Sequence, residues 1–218
     1  IEGHRRGVEV VDDVVEEALD LGVKFLTLYA FSHENWSRPT EETTQLMQLL
    51  YEFLIAKKPK MLKKGIALRM IGNKDRLPLA VQNVLDQTIT ETAGGQKLTL
   101  VLALSYGSRD ELVRATQKLF VDIENRRLSV AELNEKKFSD SLDTRDFPDP
   151  DLVLRTSGEM RMSNFLLWQA AYAELLFLPV LWPDFTRQHL REAVAEYQKR
   201  ERRFGGTEEQ VQGSRSKV

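Results

Sequence analysis

Apolar residues recur at Val8, Val11, Val15, Ala18 and Leu19, the spacing of one helix face, so the chain opens on a helix that should end at Gly22. Val23 to Phe31 reads VKFLTLYAF, nearly continuous in apolar and β-forming residues, which suits a strand covered on both faces. After a polar loop from Ser32 to Pro39, Leu46, Leu49, Leu50, Phe53 and Leu54 mark a helical stripe between Thr40 and Lys64, which Pro59 is expected to kink or end. Ile66 to Ile71 and Leu98 to Leu104 (LTLVLAL) predict two further strands, with a helix from Leu79 to Thr92 between them. Arg109 to Arg126 is amphipathic, and Ser129-Val130-Ala131-Glu132 has the spacing of a capping box that would start another helix. Pro148 and Pro150 precede a fourth strand at Asp151 to Arg155. Leu175 to Leu178 predicts a fifth, and a last helix runs from about Arg187 to Arg203.

This alternation of strand and helix predicts a single α/β domain over residues 1–206, an open and mostly parallel sheet with helices on both faces. Such a fold normally places a strand before its first helix. A strand upstream of Ile1 is therefore expected, about six in the full-length protein, and residues 207–218 read as a polar, disordered tail.

Composition narrows the function. The 218 residues hold 31 Lys plus Arg against 33 Asp plus Glu, a net charge of −2, which argues against a nucleic-acid-binding surface. There is no cysteine in this sequence, hence no disulfide or thiol chemistry within it. No apolar run approaches the roughly 18 to 20 residues of a membrane span, and no signal-peptide pattern opens the chain, so a cytoplasmic protein is expected.

In a sheet of this kind ligands bind beyond the carboxyl ends of the strands. The loop after the first strand, Ser32-His33-Glu34-Asn35-Trp36-Ser37-Arg38-Pro39, crowds amide, indole and guanidinium groups together. The loop from Arg155 to Asn164 carries Arg155 and Arg161 with hydroxyls between them, the composition of an anion clamp, since guanidinium groups bind phosphate oxygens bidentately. His4, Arg5 and Arg6 lie at a helix start, where the dipole also favours an anion. Taken singly, any of these arginines would read as a solvated surface group. Their joint placement at strand ends points to phosphate. Neither G-x-x-x-x-G-K-[ST] nor G-x-G-x-x-G occurs, which sets aside P-loop and dinucleotide readings. Glu174, in an apolar stretch, is a candidate for holding Mg²⁺ against phosphates, its plainer alternative being a charge at a strand edge. Trp168 and Trp182 read as core residues, whereas Trp36 sits in a polar loop.

The motifs Gly3-His4-x-x-Gly7, Thr27 to Ser32 with Glu34-Asn35-Trp36-x-Arg38-Pro39, Arg155-Thr156-Ser157-Gly158-Glu159-x-Arg161-x-Ser163 to Gln169, Leu181-Trp182-Pro183 and Arg202 to Gly206 resemble the cis-prenyltransferases, from Gly3 to about Gly206. The resemblance implies condensation of an allylic diphosphate, typically farnesyl diphosphate, with successive isopentenyl diphosphates. The product would be a long cis-polyprenyl diphosphate, a lipid-carrier precursor for cell-wall synthesis, with Mg²⁺ as cofactor. It implies that Arg155, Arg161, Met162 and Ser163 hold isopentenyl diphosphate, and that His4 and Arg38 lie near the allylic diphosphate. Ser32, His33, Glu34 and Trp36 would lie beside substrate, Asn35 would help remove the proton, and Glu174 would serve the metal. Leu98 would close the far end of an apolar tunnel, with the helix after Pro39 moving over that tunnel. Arg203 would reach a neighbouring site in a homodimer, and a lipid product would bring the protein against a membrane surface. The family's Asp-Gly-Asn-Gly-Arg-Trp motif, whose aspartate is central to catalysis, is absent here and is expected before Ile1, where the missing strand also falls. The alternative in this family is a non-catalytic partner subunit. That reading expects erosion at Asn35, Arg155 and Arg161, which are intact.

Overall fold

The computed structural model describes residues 2–200, with side chains from Arg6 onward. Strand β1 (Phe25–Ser32) and strand β2 (Ile66–Ile71) both pair in parallel with β3 (Leu98–Tyr106), which lies between them. On β3, Leu98, Leu100, Leu102 and Leu104 point to one face and Val101 and Ala103 to the other, and all six are buried. The period of two explains the continuous apolar run: a central parallel strand has no wet face. Helices α1 (Glu2–Asp20), α2 (Thr40–Lys64) and α3 (Leu79–Thr92) cover the leucine face, with Ala18, Leu54, Met61 and Leu85 in the same core. The other face is closed by Tyr29, Phe165 and Leu166.

Strands β4 (Leu152–Arg155) and β5 (Glu174–Phe177) also pair in parallel but form a second sheet. The single sheet expected from the sequence is thus two sheets of three and two strands. No ladder joins β1 to β4; Leu26, Leu28 and Leu154 instead meet through side chains around Val10, Val14 and Phe185. Five strands are present among the described residues, at nearly the positions the sequence predicts. A strand upstream of Ile1, Arg203 and the tail at 207–218 lie outside the described residues.

Three expectations about helices need correction. Pro59 neither ends nor splits α2, which continues to Lys64 and closes on Gly65 in the left-handed region (φ 69°). The proline deprives only the Ile55 carbonyl of its donor, and Ile55 is 47% exposed, so water can replace the lost bond. Ser129 does pair with Glu132, whose carboxylate accepts from the Ser129 N–H at 2.8 Å and hydroxyl at 2.7 Å, but the element it starts is one 3-10 turn, Val130–Glu132. After α4 (Ser108–Glu124) and the short α5 (Glu135–Ser139), helix α6 spans Arg187–Gln198, shorter than predicted.

Ion pairs fix the helices on the sheet. Lys60 lies 2.9 Å from Glu16, and Lys57 and Lys64 also pair with Asp12 and Glu16, tying α2 to α1. Buried Glu17 accepts two bonds from Arg191 at 2.9 Å and one from Arg187 at 3.1 Å, tying α1 to α6. At the carboxyl end of β2, Gly72 (φ 110°) passes so close to β3 that a Cβ there would lie 2.1 Å from the Leu104 carbonyl oxygen. Only glycine permits that approach, which brings the two strand-end loops together.

Candidate active site

The loops after β1, after β3 and after β4 meet in one region. Beyond β1 the chain enters a 3-10 turn, His33–Ser37, and the Asn35 Oδ1 accepts from the Ser32 N–H at 2.9 Å. A shift in register between Tyr29 and Phe31 precedes this turn. Beyond β4, Arg155 donates to the Arg161 carbonyl at 2.6 Å and to the Ser163 hydroxyl at 2.7 Å, so its guanidinium organises the whole 155–163 loop. The loop's other edge is fixed where the Ser157 N–H donates to the Val180 carbonyl at 2.7 Å and the Gly158 N–H to the Leu178 carbonyl at 2.8 Å.

Asn164 joins the three loops. Its Oδ1 accepts from the Arg109 N–H at 2.9 Å, its carbonyl from the Ser108 N–H at 2.8 Å, and its Nδ2 donates to Glu34 at 2.7 Å. Gly107 lies directly beneath it: a Cβ there would be 2.7 Å from Asn164 Nδ2 and 3.2 Å from the His33 Cβ. Burial pushes the Glu34 carboxyl up, but the bonds from Asn164, its own backbone and Ser32 outweigh it and hold the group below its ordinary value. Tyr29 stacks on Phe165 at 4.4 Å and donates to the Tyr106 carbonyl at 3.1 Å, and burial, with Glu34 nearby, pushes its hydroxyl up to about 12.

Beneath the loops lies a buried polar network. Glu111, 1% exposed, accepts from the Tyr106 hydroxyl at 2.6 Å, from Gln169 Nε2 at 3.1 Å and from the Asp143 N–H at 2.9 Å. Asp143 accepts two bonds from Arg114, at 3.0 and 2.7 Å, and one from the Gly72 N–H at 3.0 Å. Burial raises Glu111 despite the bonds from Tyr106 and Gln169; at Asp143 burial acts the same way, but the Arg114 guanidinium prevails and its carboxyl is held low. Gln169 Oε1 is the one buried side-chain polar atom without a partner among the described residues.

The structure sets the turn that carries Ser32, His33, Glu34, Asn35 and Trp36 beside the loop that carries Arg155, Arg161, Met162 and Ser163, the link running from Asn164 to Glu34. Arg38 follows the same turn and pairs with Glu42 at 2.9 Å. Arg161 is paired with Glu159 rather than turned toward Arg155, so a two-arginine clamp requires that it exchange this partner for a ligand. Leu98 lies at the opposite end of β3, 1% exposed in the core. Glu174 is not among the loops either: it starts β5, opposite Leu152, and accepts from Arg200 at 3.0 Å. That pair gives Arg200 an internal partner. The side chain of His4, in the first turns of α1, and all of Arg203 lie outside the described residues. Trp168 and Trp182 are half-buried, their indole N–H groups bonded at 3.0 Å to the Ser139 hydroxyl and the Gly7 carbonyl.

No group of three acidic or histidine side chains suited to a metal occurs among the described residues, and Glu34, Glu159 and Glu174 each already have a partner. The described residues do not form a cage for Mg²⁺. The network around Glu111, together with Arg76 and Ser105, escaped the sequence reading. Nothing in the sequence around Ser105 signals its positive φ of 48°.

Parallel strands with arginine- and serine-bearing loops at their carboxyl ends have the chemistry to receive an anionic group such as a phosphate. Residues 1–205 match the family described as "Putative undecaprenyl diphosphate synthase". The isoprenyl transferase of Agrobacterium fabrum (strain C58) is 48% identical over 209 residues, covering 96% of this chain and 85% of that protein. The isoprenyl transferase of Bacillus anthracis is 47% identical over 206 residues, covering 94% and 80%. Among solved structures, lavandulyl diphosphate synthase from Lavandula x intermedia, in complex with dimethylallyl diphosphate, superposes with a TM-score of 0.91 at 35% identity, over 94% of this chain and 88% of that one. A "probable undecaprenyl diphosphate synthase" from Campylobacter jejuni gives 0.82 at 35% identity, over 92% of both. The chain belongs to the undecaprenyl diphosphate synthase family and is a prenyltransferase.

Proposed function

We propose that the full-length protein elongates farnesyl diphosphate with successive isopentenyl diphosphates to a long cis-polyprenyl diphosphate. In each cycle a carbon–carbon bond forms between the terminal carbon of isopentenyl diphosphate and the first carbon of the allylic chain. The allylic carbon–oxygen bond breaks, diphosphate departs, and one proton is lost. Arg155, held at the end of β4 by Ser163 and the Arg161 carbonyl, is aimed for the isopentenyl diphosphate, with Arg161 and Ser163 completing the shell and Met162 between them. Arg38 serves the allylic diphosphate. Guanidinium groups fixed before substrate arrives stabilise the charge that develops on the leaving group. The Asn35 Oδ1 already accepts from Ser32, so Asn35 acts in proton removal as an orienting group and the departing diphosphate supplies the basic oxygen. Mg²⁺ is the proposed cation; when bound it would supply positive charge that helps the diphosphate depart. The hydrocarbon would grow along the leucine face of β3 beneath α2, toward Leu98. A homodimer on a membrane surface, receiving the lipid product, completes the proposal.

The observation that carries this reading is the Asn164 bridge, which gathers the loops of β1, β3 and β4 into one region that holds Arg155, Arg161 and Ser163. It also weighs against a non-catalytic partner subunit, because Asn35, Arg155, Arg161 and Ser163 are all kept there. The test incubates the full-length protein with farnesyl diphosphate, labelled isopentenyl diphosphate and Mg²⁺ and separates the products by thin-layer chromatography. Long polyprenyl products are expected; no product, or a single condensation only, refutes the proposal.

A further inference from the structure

Trp36 is gripped by three different strand ends. Its indole N–H donates to the Ser105 hydroxyl, at the end of β3, at 2.9 Å, and its ring meets Phe31 of β1 edge-on at 4.8 Å. From the loop after β2, the Arg76 guanidinium lies over the indole face, 5.5 Å from its centroid. Arg76 is itself held: its Nη1 reaches the His33 ring nitrogens at 3.0 and 3.2 Å, while His33 lies 3.9 Å from Asp110. Ser105 is fully buried and is kept in the left-handed region (φ 48°), where its carbonyl accepts from the Asn73 N–H at 3.3 Å, three residues before Arg76. The two groups that grip the indole are thus fixed to each other through the β2–β3 loops.

The ring so held sits at a boundary. It packs on the leucine-face core with Met47 and Leu50 of α2, and the turn that carries it opens onto the anion-binding loops. Isopentenyl diphosphate, in the reading proposed above, binds on the β4 side at Arg155, whereas Arg76 and Ser105 approach from β2 and β3. Of the two substrates, the allylic one carries the long hydrocarbon chain, which must pass from diphosphate to core.

We infer that Arg76 and Ser105 are positioning residues that fix the Trp36 indole as a wall for the allylic chain, so that Arg76 sets affinity for the allylic substrate without ligating it. A planar fork that can reach His33 while placed over an indole is a property of arginine, not lysine. This inference rests on the proposed prenyl elongation for its kinetic half, and its spectroscopic half stands apart from turnover.

Arg76→Ala, Arg76→Lys and Ser105→Ala are made in the full-length protein. Steady-state constants for farnesyl and isopentenyl diphosphates, near-ultraviolet circular dichroism and tryptophan emission are then compared with the parent. For Arg76→Ala the expected result is an allylic KM raised at least about fivefold, an isopentenyl KM within about twofold and a changed tryptophan spectrum, roughly the loss of one cation–π contact. Arg76→Lys should behave like Arg76→Ala, and Ser105→Ala should change the same spectral band. An Arg76→Lys protein with parental constants means that the charge acts directly on substrate, and overturns the inference. Parental spectra in all three variants, or equal rises in both KM values, also overturn it. Should the parent itself form no product, the functional proposal fails while the spectra still decide whether Arg76 and Ser105 hold the indole.

Discussion

Gly107 should be irreplaceable for a reason that has nothing to do with backbone freedom. Its φ of −159° is extended and open to any residue, but a methyl group there would sit 2.7 Å from Asn164 Nδ2 and 3.2 Å from the His33 Cβ. Asn164 must move in Gly107→Ala, and it carries the bonds to Glu34 at 2.7 Å and from the Arg109 N–H at 2.9 Å. A neutral hydrogen bond is worth about 0.5 to 1.5 kcal/mol net and one to a carboxylate about 1.5 to 3; partial exposure puts both at the low end, for a total near 2 kcal/mol. In a chain of this size that lowers Tm by about 4 to 8 °C. Because Ser163 precedes Asn164 and holds Arg155, the isopentenyl KM should rise several-fold, more than the allylic KM. The assay pairs thermal melts with steady-state kinetics. Gly94→Ala serves as control, since a Cβ at Gly94 meets nothing within 4 Å. A Gly107→Ala protein that matches that control in Tm and in both KM values refutes the idea that Asn164 holds the loops in register.

Arg161→Ala should raise the isopentenyl KM about tenfold, the scale of one lost charge-assisted contact, and leave allylic binding nearly unchanged; equal losses in titrations with each substrate would reject separate sites. Glu111 has a carboxyl raised by burial, so its proton is bound more tightly in the folded than in the unfolded chain, and its contribution to stability is full at low pH and lost as pH rises through the raised value. Glu111→Gln does not titrate, so its stability deficit against the parent should shrink as pH rises above the ordinary glutamate range in denaturant melts; a deficit that grows would contradict the burial argument. Leu98→Ala, at a position 1% exposed, should cost about 2 to 5 kcal/mol and lengthen the products if the growing chain reaches that end of β3. Chromatography of a stable, active variant with unchanged products would place the tunnel floor elsewhere.

The strands were legible because period and composition agree, and β1 and β3 fall almost where VKFLTLYAF and LTLVLAL lie; LTLVLAL is buried on both faces, whereas β1, expected to be covered on both, is mostly half-buried with Phe25 40% exposed, because it pairs on one side only among the described residues. A helix end marked by glycine, as at Gly22 just beyond α1, was legible too. What failed needed three dimensions. A proline in α2 is tolerable only because the turn before it faces water, a fact about Ile55's surroundings rather than its identity. The division into two sheets depends on whether β1 and β4 find each other, and neither strand's pattern encodes its neighbour. Within the site, Arg155, Ser163 and Asn35 stood out by residue type, whereas Arg76 lies in an ordinary polar segment, LysAspArg, and acquires meaning only by lying over an indole forty residues earlier in the chain.

The backbone itself adds a last step. Ser105, Ser157, Ser163, Asn164 and Leu166 all have positive φ, and Arg126 is the only other non-glycine residue that does so among the described residues. Left-handed backbone costs a residue with a side chain roughly 1 to 2 kcal/mol, so these five together store on the order of 5 to 10 kcal/mol, comparable with the whole stability of an ordinary domain. Such strain persists only where surrounding contacts over-determine the path. The contacts are those beneath the loops: Asn164 bonded on three sides, Arg155 closing its own loop, and Gln169 and Asp143 anchored to Glu111. Seen this way, burying the Glu111 carboxyl is not a stabilising choice in isolation, since desolvation raises its pKa. It supplies three acceptor positions at one point, which apolar packing could not, and those positions pin β3, α4 and the segments at 143 and 169 while leaving the arginine-bearing loop above them in a shape it would not adopt alone.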